Sequence, residues 1–215
     1  MALLNQEITE HVKKELADLA GPVRLVMFTQ EFACEYCTEA RQLVEEIAAL
    51  SDQVTAEVYN LVTDKDQANR FGVDKVPAIA VVGAQDYGVR FYGLPSGYEF
   101  ISLLEAIKTV AAGQPQLEAA TLDFLRGLDR PVHIQVFVTP TCPYCPASVI
   151  LAHQMAVAGP KVRADMIEAM EFPHLASQYQ VMGVPRTVIN ETVHIEGAAP
   201  EAMVLERLQA ALAEG

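Results

Sequence analysis

One landmark occurs twice in this chain. Cys34-Glu35-Tyr36-Cys37 recurs as Cys142-Pro143-Tyr144-Cys145, 108 residues later. Gly72-Val73-Asp74-Lys75-Val76-Pro77 has a counterpart in Gln180-Val181-Met182-Gly183-Val184-Pro185, and the two prolines are again 108 apart. Each CxxC is therefore followed by a Val-Pro whose proline lies 43 residues beyond its first cysteine. Two landmarks with one offset point to a duplicated unit of roughly 100 residues. The 215 residues then read as two domains, 1–114 and 115–215, with Gly113-Gln114-Pro115 as the natural boundary.

The elements between the landmarks follow the same order in both halves. Unit one opens with a helical pattern, Leu4, Ile8, Val12, Leu16 and Leu19, stopped by Gly21-Pro22. The apolar run Leu25 to Phe28 suits a buried strand. After the CxxC, an amphipathic helix carries Leu43, Val44, Ile47 and Leu50, and Val54 to Tyr59 alternates as a strand. A short helix from Asp64 to Phe71, a hairpin of Ala78–Val82 and Val89–Tyr92, and a helix with Leu104, Ile107 and Val110 complete it. Unit two repeats this: a helix with Leu117 to Leu128, a strand Ile134–Val138, and a helix from Cys142 to Gly159-Pro160. A strand Val162–Ile167, a short helix Phe172–Tyr179, a hairpin of Thr187–Ile189 and Val193–Ile195, and a helix with Leu205, Leu208 and Leu212 follow. The expected fold is α/β: two units, each a mixed sheet flanked by helices, with the CxxC at the carboxyl end of the first strand.

Composition narrows the function. With 51% hydrophobic residues the chain can build a core, so wholesale disorder is excluded. A formal net charge of -13 repels phosphate backbones and anionic lipid, which argues against nucleic acid and membrane surfaces as partners. Met1-Ala2-Leu3-Leu4-Asn5-Gln6-Glu7 has no basic n-region or long apolar stretch, so no signal peptide is read there. A cytoplasmic location is the expectation. In a reducing compartment, paired cysteines point to redox or metal chemistry rather than structural bridges.

Disulfide exchange requires a thiolate nucleophile, and a helix N-terminus lowers a thiol pKa with free amides and the positive end of the dipole. The strand–CxxC–helix order places Cys34 and Cys142 at such a terminus. Cys37 and Cys145 follow three residues later on the same face, where they can attack a mixed disulfide. Pro143 suits a first helical position, and Pro146 is expected to remove an early helix hydrogen bond. A tetrahedral zinc site from all four thiolates is the rival reading. Against it, 104 residues separate the pairs, whereas zinc ribbons use ~15–20. Pro77 and Pro185 have two readings: prolines at the first residue of a strand, or cis prolines beside the CxxC, which spacing alone does not establish.

Together these residues resemble the thioredoxin/glutaredoxin superfamily. Cys142-Pro143-Tyr144-Cys145 matches the glutaredoxin-type motif, and the tandem arrangement looks like the protein disulfide oxidoreductases of archaea and thermophilic bacteria. The likeness includes Tyr87-Gly88-Val89-Arg90-Phe91-Tyr92-Gly93-Leu94-Pro95, Val136 to Pro146 and Tyr179 to Pro185. It implies two thioredoxin folds, cis Pro77 and Pro185, and dithiol–disulfide exchange on protein substrates with no cofactor beyond the redox-active disulfides. It also implies a thioredoxin-reductase-like flavoenzyme as electron donor. Cys34 and Cys142 would be nucleophiles and Cys37 and Cys145 resolving thiols. Val76 and Val184 would pair with a substrate strand. An electron-relay role for a peroxidase, like the tandem N-terminal part of a flavin-dependent alkyl hydroperoxide reductase, is a further reading. Those proteins retain one CxxC, whereas this chain keeps both and reads as lacking a flavin domain.

Two features depart from relatives. The buried Asp that many thioredoxins carry before the CxxC is missing, since the only polar residue in Ile134–Val138 is Gln135. The basic residue of many glutaredoxins is also missing, since Thr139-Pro140-Thr141 stands there, which weakens a glutathione-dependent role. The two sites differ as well. Glu31, Glu35 and Glu39 surround the first pair, and Thr141, Pro143 and Pro146 the second. Carboxylates oppose thiolate formation, which predicts a lower thiol pKa at Cys142. The alternative is that they are solvated charges favoured by the helix start. Tyr36 and Tyr144 have two open readings, substrate contact or packing on the first turn. The five histidines show no metal-ligand spacing, so no metal site is expected, and the seven methionines read as core filler.

Overall fold

The computed structural model describes residues 2–213. Alternation with a period of two explains the apolar strand sequences. Strand β1 (Val23–Thr29) sends Leu25 and Met27 to one face and Val26 and Phe28 to the other, all fully buried. Strands β3 (Ala78–Val82) and β4 (Val89–Tyr92) are buried at every position, because helices cover both faces of the sheet. The first face is covered by α1 (Gln6–Glu15), α2 (Cys37–Ala48), α4 (Glu99–Ala112), α5 (Ala119–Arg126), α6 (Cys145–Ala158) and α8 (Glu201–Ala213). A smaller cluster on the second face lies under the short helices α3 (Lys65–Phe71) and α7 (Pro173–Gln178).

The remaining strands are β2 (Val54–Asn60), β5 (Val132–Val138), β6 (Val162–Glu168), β7 (Arg186–Ile189) and β8 (Val193–Glu196). They do not form two separate sheets. All eight lie in one, in the order β2-β1-β3-β4-β6-β5-β7-β8. Each half contributes four strands in the same internal order, and parallel pairing of β4 with β6 joins them. Gly88, just before the joint, has φ +80, and a Cβ there would stand 2.8 Å from the Val162 carbonyl oxygen. Both the left-handed conformation and the close approach require glycine.

Buried charge crosses the same joint. Arg163 of β6 donates to the Gly72 carbonyl at 2.7 Å, to the Tyr92 hydroxyl at 2.5 Å and to Asp165 at 2.8 Å. His133 meets the other oxygen of Asp165 at 2.7 Å. Burial alone would raise the Asp165 carboxyl, but His133 and Arg163 outweigh it and hold it below its ordinary value. Arg90, almost fully buried, donates to the Phe71 carbonyl and pairs with Asp86 at 2.6 Å.

Candidate functional site

Strand directions place both CxxC turns on one edge of the sheet. β1 is antiparallel to β3, and β3 to β4; β4 is parallel to β6, and β6 to β5. β1 and β5 therefore point the same way, and both end beside a cysteine pair. Four strand steps separate them, roughly 19 Å at the usual inter-strand spacing. Cys34 and Cys37 are disulfide-bonded, as are Cys142 and Cys145, each with a Cα–Cα distance of 5.5 Å. Four thiolates split in this way cannot share one zinc ion, whose ligands lie ~2.3 Å from the metal.

Helix positions correct one expectation. α2 begins at Cys37 and α6 at Cys145, so Cys34 and Cys142 lie in the turn before each helix rather than at its start. The first full helical bond of α2 runs from the Ala40 amide to the Tyr36 carbonyl, which makes Tyr36 the cap. Pro143 precedes the Tyr144 cap and is not the first helical residue. Pro146 occupies the second helical position, where no amide partner is needed, so it removes no hydrogen bond. Nor is α6 amphipathic. It is enclosed by the sheet, α4 and α5, and Cys145, Val149, Ala152, His153 and Met155 are all buried.

Within each pair the first cysteine is the more open. Cys34 is half-buried while Cys37 is 4% exposed, and Cys142 is 6% exposed while Cys145 is fully buried. Both Val76-Pro77 and Val184-Pro185 are cis. Phe28 pairs with Ala78 and Phe137 with Arg186, so each proline stands one step further, where its CxxC turn leaves the sheet. The Pro77 carbonyl accepts from Gly93 and the Pro185 carbonyl from Gly197.

Beside the first pair the two halves form an open cleft of ≈ 1110 Å³. Cys34, Tyr36, Val76 and Pro77 line it from unit one, and Pro140, Glu168, Met170 and Glu171 from unit two. Tyr36 is thus in the cleft wall, while Tyr144 is 70% exposed beside the second pair. Sequence reading missed Glu168 and Glu171, because nothing local marks a residue that acts across a domain joint. Glu168 is the last residue of β6 and is 3% exposed. Its Oε2 accepts from the Glu171 amide, and Glu171 Oε1 accepts from the Leu94 amide at 2.7 Å. Burial raises both carboxyls. For Glu171, burial outweighs the Leu94 amide and, with the Glu168 and Glu35 charges, pushes it up to about 7. Gly93 makes room, since a Cβ there would lie 2.6 Å from the Glu168 Cβ.

A third carboxylate follows the contact between unit one and the loop that leads to the second pair. The Tyr98 amide donates to the Pro140 carbonyl at 3.0 Å, two residues before Cys142. Glu99 follows at the start of α4, which packs along α6. It is 1% exposed, neither oxygen has a hydrogen-bond partner of normal geometry among the described residues, and burial outweighs the nearby Ser102 hydroxyl and pushes its carboxyl up to about 7. Gln135, by contrast, is occupied with the Tyr179 hydroxyl. His153 is buried neutral against Phe91 and the Arg90 carbonyl, far below its ordinary pKa at about 4 because of burial. Among the described residues no cluster of three or more His, Cys, Asp or Glu could hold a metal ion, and no helix is long and apolar enough to cross a membrane.

A thioredoxin-domain family profile matches residues 26–105 and 132–209. The chain belongs to the thioredoxin family. A crystal structure of a protein disulfide oxidoreductase from Aeropyrum pernix superposes with a TM-score of 0.90 at 30% identity, covering 96% of this chain and 93% of that one. The NTD N/C domain of alkylhydroperoxide reductase AhpF from Enterococcus faecalis superposes with a TM-score of 0.87 at 27% identity, covering 95% and 99%. The corresponding alkyl hydroperoxide reductase protein of Escherichia coli is 29% identical over 87% of this chain and 34% of its own length. The chain thus spans about a third of the length of the curated relatives it matches.

Proposed function

We propose that this protein is a cytoplasmic protein disulfide oxidoreductase with two dithiol sites, Cys34/Cys37 in residues 1–114 and Cys142/Cys145 in residues 115–215. One observation carries the reading. Two disulfides sit on the same sheet edge, each with a more open first cysteine, a covered second cysteine and a cis proline alongside. The full-length likeness to the disulfide oxidoreductase supports it.

In the reducing direction the Cys34 or Cys142 thiolate attacks one sulfur of a client disulfide. A mixed disulfide forms and the first client thiolate leaves and takes up a proton. The Cys37 or Cys145 thiolate then attacks the bridging protein sulfur and releases the second client thiolate. The client gains two electrons and two protons, and the protein is left as the disulfide seen here. The more open first sulfurs are the attacking ones and the buried second sulfurs the resolving ones. The peptide groups of Val76 and Val184 are the next pairing positions beside each site for an extended client strand, and Tyr36 and Tyr144 flank it. A thioredoxin-reductase-like flavoenzyme returns the electrons. Relay to a peroxidase is the second reading, favoured by the resemblance to AhpF of alkyl hydroperoxide reductases.

Insulin reduction tests this with the full chain and with the Cys34→Ser/Cys37→Ser and Cys142→Ser/Cys145→Ser variants. Each double variant should retain activity at its intact site, and the quadruple variant should lose about 10³-fold or more. A reduced wild-type protein inactive on insulin but able to reduce a peroxidase disulfide establishes the relay instead.

A further inference from the structure

We propose that the cleft at Cys34 selects disulfide-bearing polypeptide segments with a Lys or Arg next to the attacked cysteine. This rests on the exchange activity proposed above and names the substrate class for its first site. The cavity wall is apolar at Val76, Pro77, Leu94 and Met170, which suits an extended chain. Its charged lining residues are all acidic: Glu35, Glu168 and Glu171. Lys75, the neighbour of Val76, is turned away to Asp74 at 2.5 Å and to the Tyr92 ring at 4.0 Å.

Acidity alone would not make a site. Here Glu168 is 3% exposed and is one of the cavity-lining residues, and among the described residues its Oε1 and the Oε2 of Glu171 are buried without a hydrogen-bond partner. A buried acceptor without a donor is costly, so a donor that meets these side chains as they turn toward the cleft relieves both. An arriving guanidinium or ammonium supplies donors and charge together, while its alkyl stem lies on the apolar wall. A client Asp or Glu would meet the Glu35 carboxylate and two carboxyls already raised by burial, and would supply no donor to either. Tyr36 reports the same field, since the Glu35 charge, partial burial and the Glu171 charge push its phenol above the ordinary value. Around the second pair, the neighbours Thr141, Pro143 and Pro146 carry no charge.

Stopped-flow reduction of two cystine peptides, identical except for Lys or Glu flanking the cystine, tests the proposal. The full chain is used as the reduced Cys142→Ser/Cys145→Ser form, in which only the first site reacts, at about 150 mM salt to screen distant charge. The Lys peptide should react about tenfold faster than the Glu peptide, the order expected of a hydrogen bond to a charged group. Adding Glu168→Gln and Glu171→Gln keeps one acceptor oxygen per side chain and should bring the ratio down to that of the second site, measured in the Cys34→Ser/Cys37→Ser form. Should the pair of substitutions unfold the protein by circular dichroism, Glu171→Gln alone should lower the ratio part-way. Equal ratios at both sites, or a ratio unchanged by the Gln substitutions, overturn the proposal. Hydroxyethyl disulfide is the uncharged control: failure to reduce it at either site defeats the exchange reading itself and not the charge preference.

Discussion

The two dithiol turns share a backbone plan and differ in what the opposite unit brings to them. Unit two lends the first turn Glu168 and Glu171, in a cleft open to solvent, each with one carboxylate oxygen hydrogen-bonded to an amide. Unit one places Glu99 just after its contact with the loop that leads to the second turn, where neither oxygen has a hydrogen-bond partner of normal geometry among the described residues and almost none of the side chain reaches water. A duplicated unit therefore does not give duplicated sites. Once the halves are joined side by side, each turn faces a different surface of its neighbour, and the acidic groups follow from that placement.

The largest expected contrast is in pH dependence. The Glu99 carboxyl is raised to about 7 from an ordinary 4.5. Its protonated form stabilises the fold at and below the ordinary carboxylate range, and that contribution is lost as pH rises through 7. Between about pH 4 and pH 9, wild type should lose about 3 kcal/mol relative to Glu99→Gln in denaturant melts. Comparison with the variant cancels the opposite contribution of His153, lost as pH falls toward 4. Parallel pH curves for the two proteins would remove Glu99 from the comparison.

Next in size is the thiol contrast. With Glu35, Glu168 and Glu171 around it, Cys34 should titrate above Cys142. Alkylation rate against pH in the two reduced single-site forms measures this, and coincident midpoints would erase the distinction. The smallest contrast is structural. Gly72 and Gln180 occupy equivalent left-handed positions, φ 63 and 52. Gln180→Gly should raise thermal stability by up to ~1 kcal/mol, since a non-glycine residue is strained there. Gly72→Ala should lower it by ~1 kcal/mol or more, because Arg163 Nη1 would stand 2.6 Å from the new Cβ.

Local chemistry makes much of this legible. β3 and β4 occupy the expected spans to the residue, because β3 is an uninterrupted apolar run after Pro77 and β4 is bounded by Gly88 and Gly93. The cysteine pairs stand out as landmarks tied to one offset, and the cis form of the two prolines follows from the family resemblance rather than from spacing. The β4–β6 joint is not legible. Parallel pairing between strands about 70 residues apart has no local signature, and Val89 to Tyr92 reads alike as an edge or as an interior strand. Arg163 and Tyr92 look unrelated until the joint brings guanidinium and hydroxyl together. The start of α2 and α6 is misplaced because a CxxC gives no sign of where helical bonding begins, only that a helix follows.

The joint is also an unlike pairing. β4 is the last strand of unit one, and β6 corresponds to β2, the first strand of that unit's sheet. A contact between different surfaces of equivalent units does not close on itself, in contrast to a two-fold interface. Two units therefore leave a β2 edge at one end and a β8 edge at the other, each the complement of the other by the rule that built the joint. Both edge strands carry features that oppose such pairing. β8 has only four residues and presents His194 and Glu196, and β2 has Glu57 paired with Arg24 at 2.9 Å. Short, charged edges of this kind discourage further strand addition. The joint is in this sense an open, head-to-tail pairing, and the composition of the two outermost strands works against its repetition.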